Sequence, residues 1–178
     1  MRQLIGSLLL LAAVGLAPAE LAAQRRPAAR PAASRADRPS FGVQLNWSSD
    51  YDFGIGGRGV FPLGSLFPKT PLDGIVSFDY FFPGGAPAGV SFHYWEINGN
   101  VAYRFTVPRS SSLRPYAGGG LNIIHASVST GGSDTKAGLN LLGGTTFKLK
   151  GSSLVPFAEA RGEVGGGKTF ILTGGLRF

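Results

Sequence analysis

Eight segments of this chain alternate apolar and polar side chains with a period of two residues. In the clearest segment, Trp95 and Ile97 alternate with Glu96 and Asn98. This is the period of a β-strand, in which successive side chains point to opposite faces. The segments are residues 41–48, 52–61, 73–82, 95–105, 116–123, 136–148, 154–164 and 169–178, with turn-rich stretches between them. Residues 41–178 are therefore predicted to be all-β, an eight-stranded antiparallel up-and-down barrel.

Composition supports strands over helices. The 178 residues include 28 Gly, and only 15% of them are charged. Glycine costs about 1 kcal/mol per helical position relative to Ala, so this content disfavours a helical protein. Cysteine is absent, which excludes a disulfide, a thiolate nucleophile and a cysteine-based metal site.

The first 23 residues have the pattern of a secretory signal peptide. Arg2 supplies the positive charge, residues 4–16 are apolar, and small residues follow at 17–19 and 21–23. The apolar stretch is too short for a spanning helix, so cleavage and export are expected. An uncleaved N-terminal anchor is the alternative. A lipoprotein signal is excluded because no cysteine follows the stretch.

Residues 24–40 are rich in Ala, Pro and Arg and contain five arginines and one aspartate. They have too little apolar surface to form a core, and their prolines break helices. This segment is predicted to be a disordered, solvated periplasmic linker, although its arginines are also suited to anionic headgroups or peptidoglycan acids. Much of the formal net charge of +7 lies in it, which argues against a nucleic-acid-binding face.

The aromatic residues indicate that the apolar face of the barrel meets lipid. If the first strand runs away from the periplasm, the aromatics gather at two heights, as a bilayer with two interfaces requires. A soluble barrel has no reason to sort its aromatics in this way. The predicted girdles are Phe41, Phe61, Phe105 and Phe147 at one end, with Phe178, and Trp47, Tyr80 and Trp95 at the other.

The opposite face of the strands carries charges of both signs. Acidic and basic groups on a narrow inner wall can pair with each other, whereas a lone buried charge is costly. These residues are therefore predicted to line the lumen, with a solvated outer face as the alternative. They are Arg58, Asp79, Glu96, Arg104, Glu159, Arg161, Glu163 and Arg177.

Two motifs resemble those of small bacterial outer-membrane barrels of the OmpA/OmpX type. Residues 173–178, Thr-Gly-Gly-Leu-Arg-Phe, look like the closing strand of that class, and residues 114–120 resemble its proline-tyrosine-glycine strand. The resemblance covers residues 41–178. It implies that Phe178 and Leu176 form the signal that the barrel-assembly machinery reads, and that outer-membrane lipids and lipopolysaccharide surround the protein.

Two glycine motifs suggest nucleotide binding, but their context argues against it. Residues 162–169 match the P-loop pattern G-x-x-x-x-G-K-T, and Gly54, Gly56 and Gly59 match G-x-G-x-x-G. Both chemistries need a helix N-terminus against the phosphates. Residues 170–178 alternate as a strand instead. No nucleotide and no cofactor is therefore expected.

His125-Ala126-Ser127 resembles the His-x-Ser element of outer-membrane lipid A deacylases. In that family a His activates the Ser nucleophile and an acid orients the His. Here Val128 replaces the Asn of the family, and no suitably spaced Glu follows. His93 is the one other histidine, and spacing places no further metal ligand near it. No catalytic or metal site is therefore predicted.

The expected function follows from the strand count. An eight-stranded barrel is just wide enough for its own side chains, so we expect an integral outer-membrane protein without an open pore. Its role would be structural, or would involve short surface loops. An outer-membrane enzyme that modifies lipid and a soluble periplasmic barrel that binds a small apolar ligand are the alternatives.

Overall fold

The computed structural model describes residues 38–85, 88–108, 110–165 and 168–178. The predicted signal peptide, residues 1–23, and residues 24–37 of the predicted linker lie outside the described residues. Within the described ranges, no helix is long and apolar enough to cross a membrane.

Eight antiparallel strands form one closed barrel in chain order, because β1 pairs with both β2 and β8. Phe41 and Phe178 complete the seam: the Phe178 amide donates to the Phe41 carbonyl at 2.8 Å, and the reverse bond is 3.2 Å long. This confirms the predicted fold. The strands are β1 (Ser40–Ser48), β2 (Asp52–Pro62), β3 (Leu72–Phe82), β4 (Phe92–Arg104), β5 (Leu113–Val128), β6 (Ser133–Phe147), β7 (Val155–Val164) and β8 (Lys168–Arg177).

The strand order fixes the two ends of the barrel. We call the end where β1 begins and β8 ends the terminal end. The described connecting residues 63–71, 105–108, 110–112 and 148–154 also lie there. The opposite, distal end carries the described connecting residues 49–51, 83–85, 88–91, 129–132 and 165.

The apolar face of the strands is the outer face of the barrel. Phe78, Ile97 and Leu172 are 49%, 43% and 46% exposed, whereas Glu96 and Arg161 are 0% and 1% exposed. Strand β1 shows the alternation directly, since its burial changes at every residue from Gly42 to Ser48. A barrel that is stable in water has the opposite polarity, with charges outside and apolar groups in the core.

Two apolar clusters lie inside the barrel with the polar residues. One, which we call the distal plug, consists of Phe81, Tyr94, Ile124 and Ile171, with Tyr51 packed against it. The other, the terminal plug, consists of Val60, Ile75, Ala102, Tyr116 and Leu142. The Tyr51 and Tyr94 rings stack at a centroid distance of 3.6 Å. The interior is therefore a packed core with apolar layers on either side of a polar one.

Gly56 is required because the lumen has no room for a side chain at this position. A Cβ at Gly56 would overlap the Asp79 carboxylate and come within 2.7 Å of the Phe78 carbonyl oxygen. The adjacent Gly57 points outward, and a Cβ there would meet no atom closer than the Gly42 carbonyl oxygen, at 3.7 Å. Gly56→Ala is therefore expected to lower the free energy of unfolding by about 1–3 kcal/mol through overpacking.

Gly57→Ala is the matched control and should change stability by less than about 0.5 kcal/mol. Urea unfolding of the folded protein in lipid vesicles, followed by tryptophan fluorescence, measures both variants. Equal effects of the two substitutions would mean that the close approach of β2 to Asp79 does not constrain the fold.

Candidate functional site

The centre of the lumen is organised around the Arg161 guanidinium on β7. Its Nε donates to Glu163 Oε1 at 2.7 Å, and its Nη2 pairs with Glu96 Oε1 and lies 3.6 Å from Asp79 Oδ2. All four side chains are at most 3% exposed. Three strands, β3, β4 and β7, thus bring three carboxylates to one cation.

Asp79 is also the centre of a ring of neutral donors. Gln44 and Asn46, both on β1, donate amide hydrogens to its Oδ1 at 2.5 and 2.6 Å. Its Oδ2 accepts from the Ser77 hydroxyl at 3.1 Å and from the Asn98 amide at 3.3 Å. Both oxygens of this carboxylate therefore have hydrogen-bond donors within the lumen.

A second ion pair lies closer to the terminal end. Arg58 donates from both terminal nitrogens to Glu159, at 3.1 and 3.0 Å, and its Nε donates to Gln44 at 2.5 Å. The Tyr116 hydroxyl donates to the same carboxylate at 2.8 Å. The Arg58 guanidinium carbon also lies 4.1 Å from the centre of the Phe157 ring. The bidentate geometry of Arg58 on Glu159 is the strong form of an arginine–carboxylate contact.

The predicted lumenal charges occupy two environments. Arg58, Asp79, Glu96, Glu159, Arg161 and Glu163 are buried in the barrel. Arg104 and Arg177 are half-buried near the terminal end, where Arg104 Nε lies 3.4 Å from Asp73 Oδ2. Sequence reasoning did not select Asp73 as a lumenal charge, although its position six residues before Asp79 places it on the same strand face.

The terminal-end aromatics lie on the outer surface. Phe41 and Phe61 contact each other edge to face, with their ring centres 6.2 Å apart. Phe105 follows β4 directly and packs against Tyr103 at 5.3 Å. Phe147 is half-buried at the end of β6, and Phe178 is exposed.

The distal-end aromatics form a denser group. Tyr80, Trp95 and His125 lie side by side on β3, β4 and β5. The Trp95 and His125 rings stack at 5.0 Å, and Tyr80 packs edge to face on Phe82 at 5.1 Å. Trp47 is exposed near the distal end of β1. The outer surface thus carries aromatic side chains near both ends of the strands.

His125 and Ser127 lie on the outward face of β5 and do not form a described nucleophile–base pair. His125 Nδ1 is hydrogen-bonded to the Thr135 hydroxyl at 2.8 Å, so a hydroxyl stands where a catalytic triad has a carboxylate. Ser127 pairs in register with His93, whose Nδ1 contacts the Tyr80 hydroxyl at 2.7 Å.

The glycine motifs lie on strands. Lys168 and Thr169, at the end of the P-loop match, begin β8 rather than a helix, and Gly54, Gly56 and Gly59 belong to β2. Within the described residues, no group of three or more His, Asp or Glu side chains is arranged to hold a metal ion.

The comparisons with known proteins identify the fold. No protein-family model and no curated protein matches the chain. It is similar to the N-terminal β-barrel domain of Pseudomonas aeruginosa OprF, with 16% identity and a TM-score of 0.57 over 78% of this chain and 96% of that one. It is also similar to Ail, the attachment invasion locus protein of Yersinia pestis, with 19% identity and a TM-score of 0.46 over 79% and 96%. The likeness to the OprF domain confirms the prediction of a small eight-stranded barrel fold of the outer-membrane type.

Proposed function

We propose that this chain is an integral outer-membrane β-barrel protein without an open pore, with a structural or surface-interaction role in the cell envelope. The observation that carries the proposal is the inverted polarity of the barrel: apolar side chains cover its outer face, and its charges are enclosed. Lipid is the solvent in which that arrangement is stable, and closure of the sheet leaves no strand edge unpaired in it.

The exposed apolar surface argues against the soluble periplasmic alternative. Soluble monomers rarely expose contiguous apolar patches larger than a few hundred Å². Here outward Val, Leu, Ile and Phe side chains occur on all eight strands, for example Leu45, Ile55 and Leu141. A soluble barrel that binds an apolar ligand would instead keep these residues inside.

The proposal of a closed lumen rests on its packing. The side chains of the distal plug and the terminal plug are mostly below 8% exposed. The ion pairs of Arg58 and Arg161 fill the polar layer between the two plugs. Conduction of ions would require these side chains to move. We therefore assign the proposed structural or surface-interaction role to the barrel wall and to the connections between its strands.

The same proposal assigns the partners. Outer-membrane lipids and lipopolysaccharide would contact the outer face, with the aromatic residues at the two headgroup levels. Leu176, on the strand that closes the seam, and Phe178, which follows that strand, are proposed to be read by the barrel-assembly machinery. An enzymatic role is not proposed, because the described contacts of His125 are with Thr135 and Trp95 rather than with an acid and Ser127.

The proposal is tested with purified, folded protein. We expect the unheated protein to migrate faster in gel electrophoresis than the boiled protein, and to fractionate with the outer membrane. Reconstituted in planar bilayers, it should show no steady conductance of the size given by a water-filled pore. Recovery in the soluble periplasmic fraction would contradict the membrane assignment, whereas a stable open channel would contradict only the closed lumen.

A further inference from the structure

Among the described residues, the acidic groups at the centre of the lumen outnumber the cations there. Asp79, Glu96 and Glu163 share the single guanidinium of Arg161. Arg58, which is also buried, is engaged by Glu159. Burying an unpaired carboxylate costs several kcal/mol. A further positive species in this layer would remove that cost.

Glu96 and Glu163 lie where such a species would bind. They bind neighbouring nitrogens of one guanidinium, Glu163 at Arg161 Nε and Glu96 at Arg161 Nη2, so their carboxyl groups lie side by side. One oxygen of each, Oε2, is buried and has no hydrogen-bond donor among the described residues. Two ionised carboxylates in this position would repel each other, whereas a carboxyl and a carboxylate would share a hydrogen bond.

We infer that Glu96 and Glu163 hold one shared proton between them, as a buried carboxyl–carboxylate pair in the barrel wall. The proton comes from water when the barrel closes, and the two carboxyl groups together then carry one negative charge instead of two. A proton fits better than a metal ion, because Arg161 already occupies the space between these carboxylates and no group of three or more ligands in the described part of the chain is arranged to hold a metal.

The surroundings favour one proton over two. Arg161, on β7, contacts both carboxyl groups and compensates one negative charge. On β4, Asn98 donates to Glu96 Oε1 at 3.0 Å, and the Tyr94 ring closes the layer from the distal side. Asp79, on β3, has its own four donors from Gln44, Asn46, Ser77 and Asn98. Glu96 Oε2 and Glu163 Oε2 are therefore the carboxylate oxygens of this layer that have no donor among the described residues.

A shared proton makes stability depend on pH with a defined sign. In the unfolded chain both glutamates ionise near pH 4.3. Above that pH the folded barrel holds one proton more than the unfolded chain, so its folding equilibrium constant falls as pH rises, by about tenfold per pH unit from this pair. The fall stops at the pH at which the pair releases its proton.

Glu163→Gln tests this, because glutamine mimics the protonated carboxyl and leaves one charge on Glu96. Urea unfolding in lipid vesicles is measured between pH 5 and 8 for both proteins. The ratio of the variant's folding equilibrium constant to that of the unsubstituted protein should rise by about tenfold per pH unit. A ratio independent of pH overturns the shared proton.

Glu159→Gln is the matched control. Glu159 is about as deeply buried as Glu163, but its carboxylate is paired with Arg58 and Tyr116. Its substitution should destabilise the barrel at every pH and leave the slope with pH unchanged. If both variants showed the same change in the dependence of stability on pH, the change would be a property of the whole lumen. The assignment of the shared proton to Glu96 and Glu163 would then be wrong.

Infrared spectroscopy of the folded, unsubstituted protein keeps the inference testable even if Glu163→Gln does not fold. At pH 7 in detergent micelles we expect the carbonyl stretch of a protonated carboxyl group, shifted in D₂O. Its absence would overturn the inference. The micelle measurement is independent of bilayer residence, so its failure is distinguishable from failure of the proposed function.

Discussion

Arg161→Met is expected to lower the free energy of unfolding by about 3–5 kcal/mol, because it leaves buried carboxylates without their cation. Met retains much of the side-chain length, so the loss reflects charge more than volume. The guanidinium is 1% exposed and contacts Glu96, Glu163 and Asp79. Unfolding by urea in lipid vesicles at pH 8 measures the effect.

Lys136→Ala is the control for loss of a cation at the surface. Lys136 Nζ is 2.9 Å from Asp134, but both side chains are more than half exposed, and such pairs contribute about 0–1 kcal/mol. Adding Glu96→Gln and Glu163→Gln to Arg161→Met should recover part of the lost stability. If the combined variant is no more stable than Arg161→Met, packing rather than charge explains the loss.

Leu141→Arg is expected to destabilise the barrel in a bilayer by about 2–4 kcal/mol, the cost of an arginine near the membrane midplane. Leu141 is 75% exposed and lies near the middle of β6, on the outer face. In water, replacement of so exposed a leucine by arginine would be close to neutral. The substitution therefore distinguishes a lipid-facing from a water-facing surface.

Leu66→Arg is the matched control, since Leu66 is 69% exposed but lies in the connection 63–71 at the terminal end. We expect it to change the unfolding free energy by less than about 0.5 kcal/mol. Both variants are measured in vesicles of the same lipid composition. Equal, small effects of the two substitutions would contradict a bilayer around β6.

The strands and their order follow from the sequence because period-two alternation needs no knowledge of distant contacts. Glu96 and Asn98 lie on either side of Ile97, and neighbours along a strand must point to opposite faces. Which face is enclosed follows from the aromatics near both strand ends. The connections between the predicted strands are short, so each strand can pair only with its neighbours along the chain. This leaves little choice of topology.

The composition of the lumen was harder to predict. Phe81 and Ile171 lie within the apolar runs 80–82 and 170–172, where alternation alone does not show that the middle residue points inward. Counting by twos from Asp79 and from Thr173 does place both inside, and this is the signal that would have identified the distal plug. The convergence of Glu96 and Glu163 on the Arg161 guanidinium depends on β4 and β7 meeting across the lumen, which no local pattern encodes.

The position of the two tryptophans has an experimental consequence. Trp47 and Trp95 are the only tryptophans in the sequence, and both lie on the outer face near the distal end, on β1 and β4. In a bilayer, intrinsic tryptophan fluorescence would therefore report on a single leaflet. Quenching by brominated lipids placed in one leaflet at a time would report which way round the barrel has inserted, without a label.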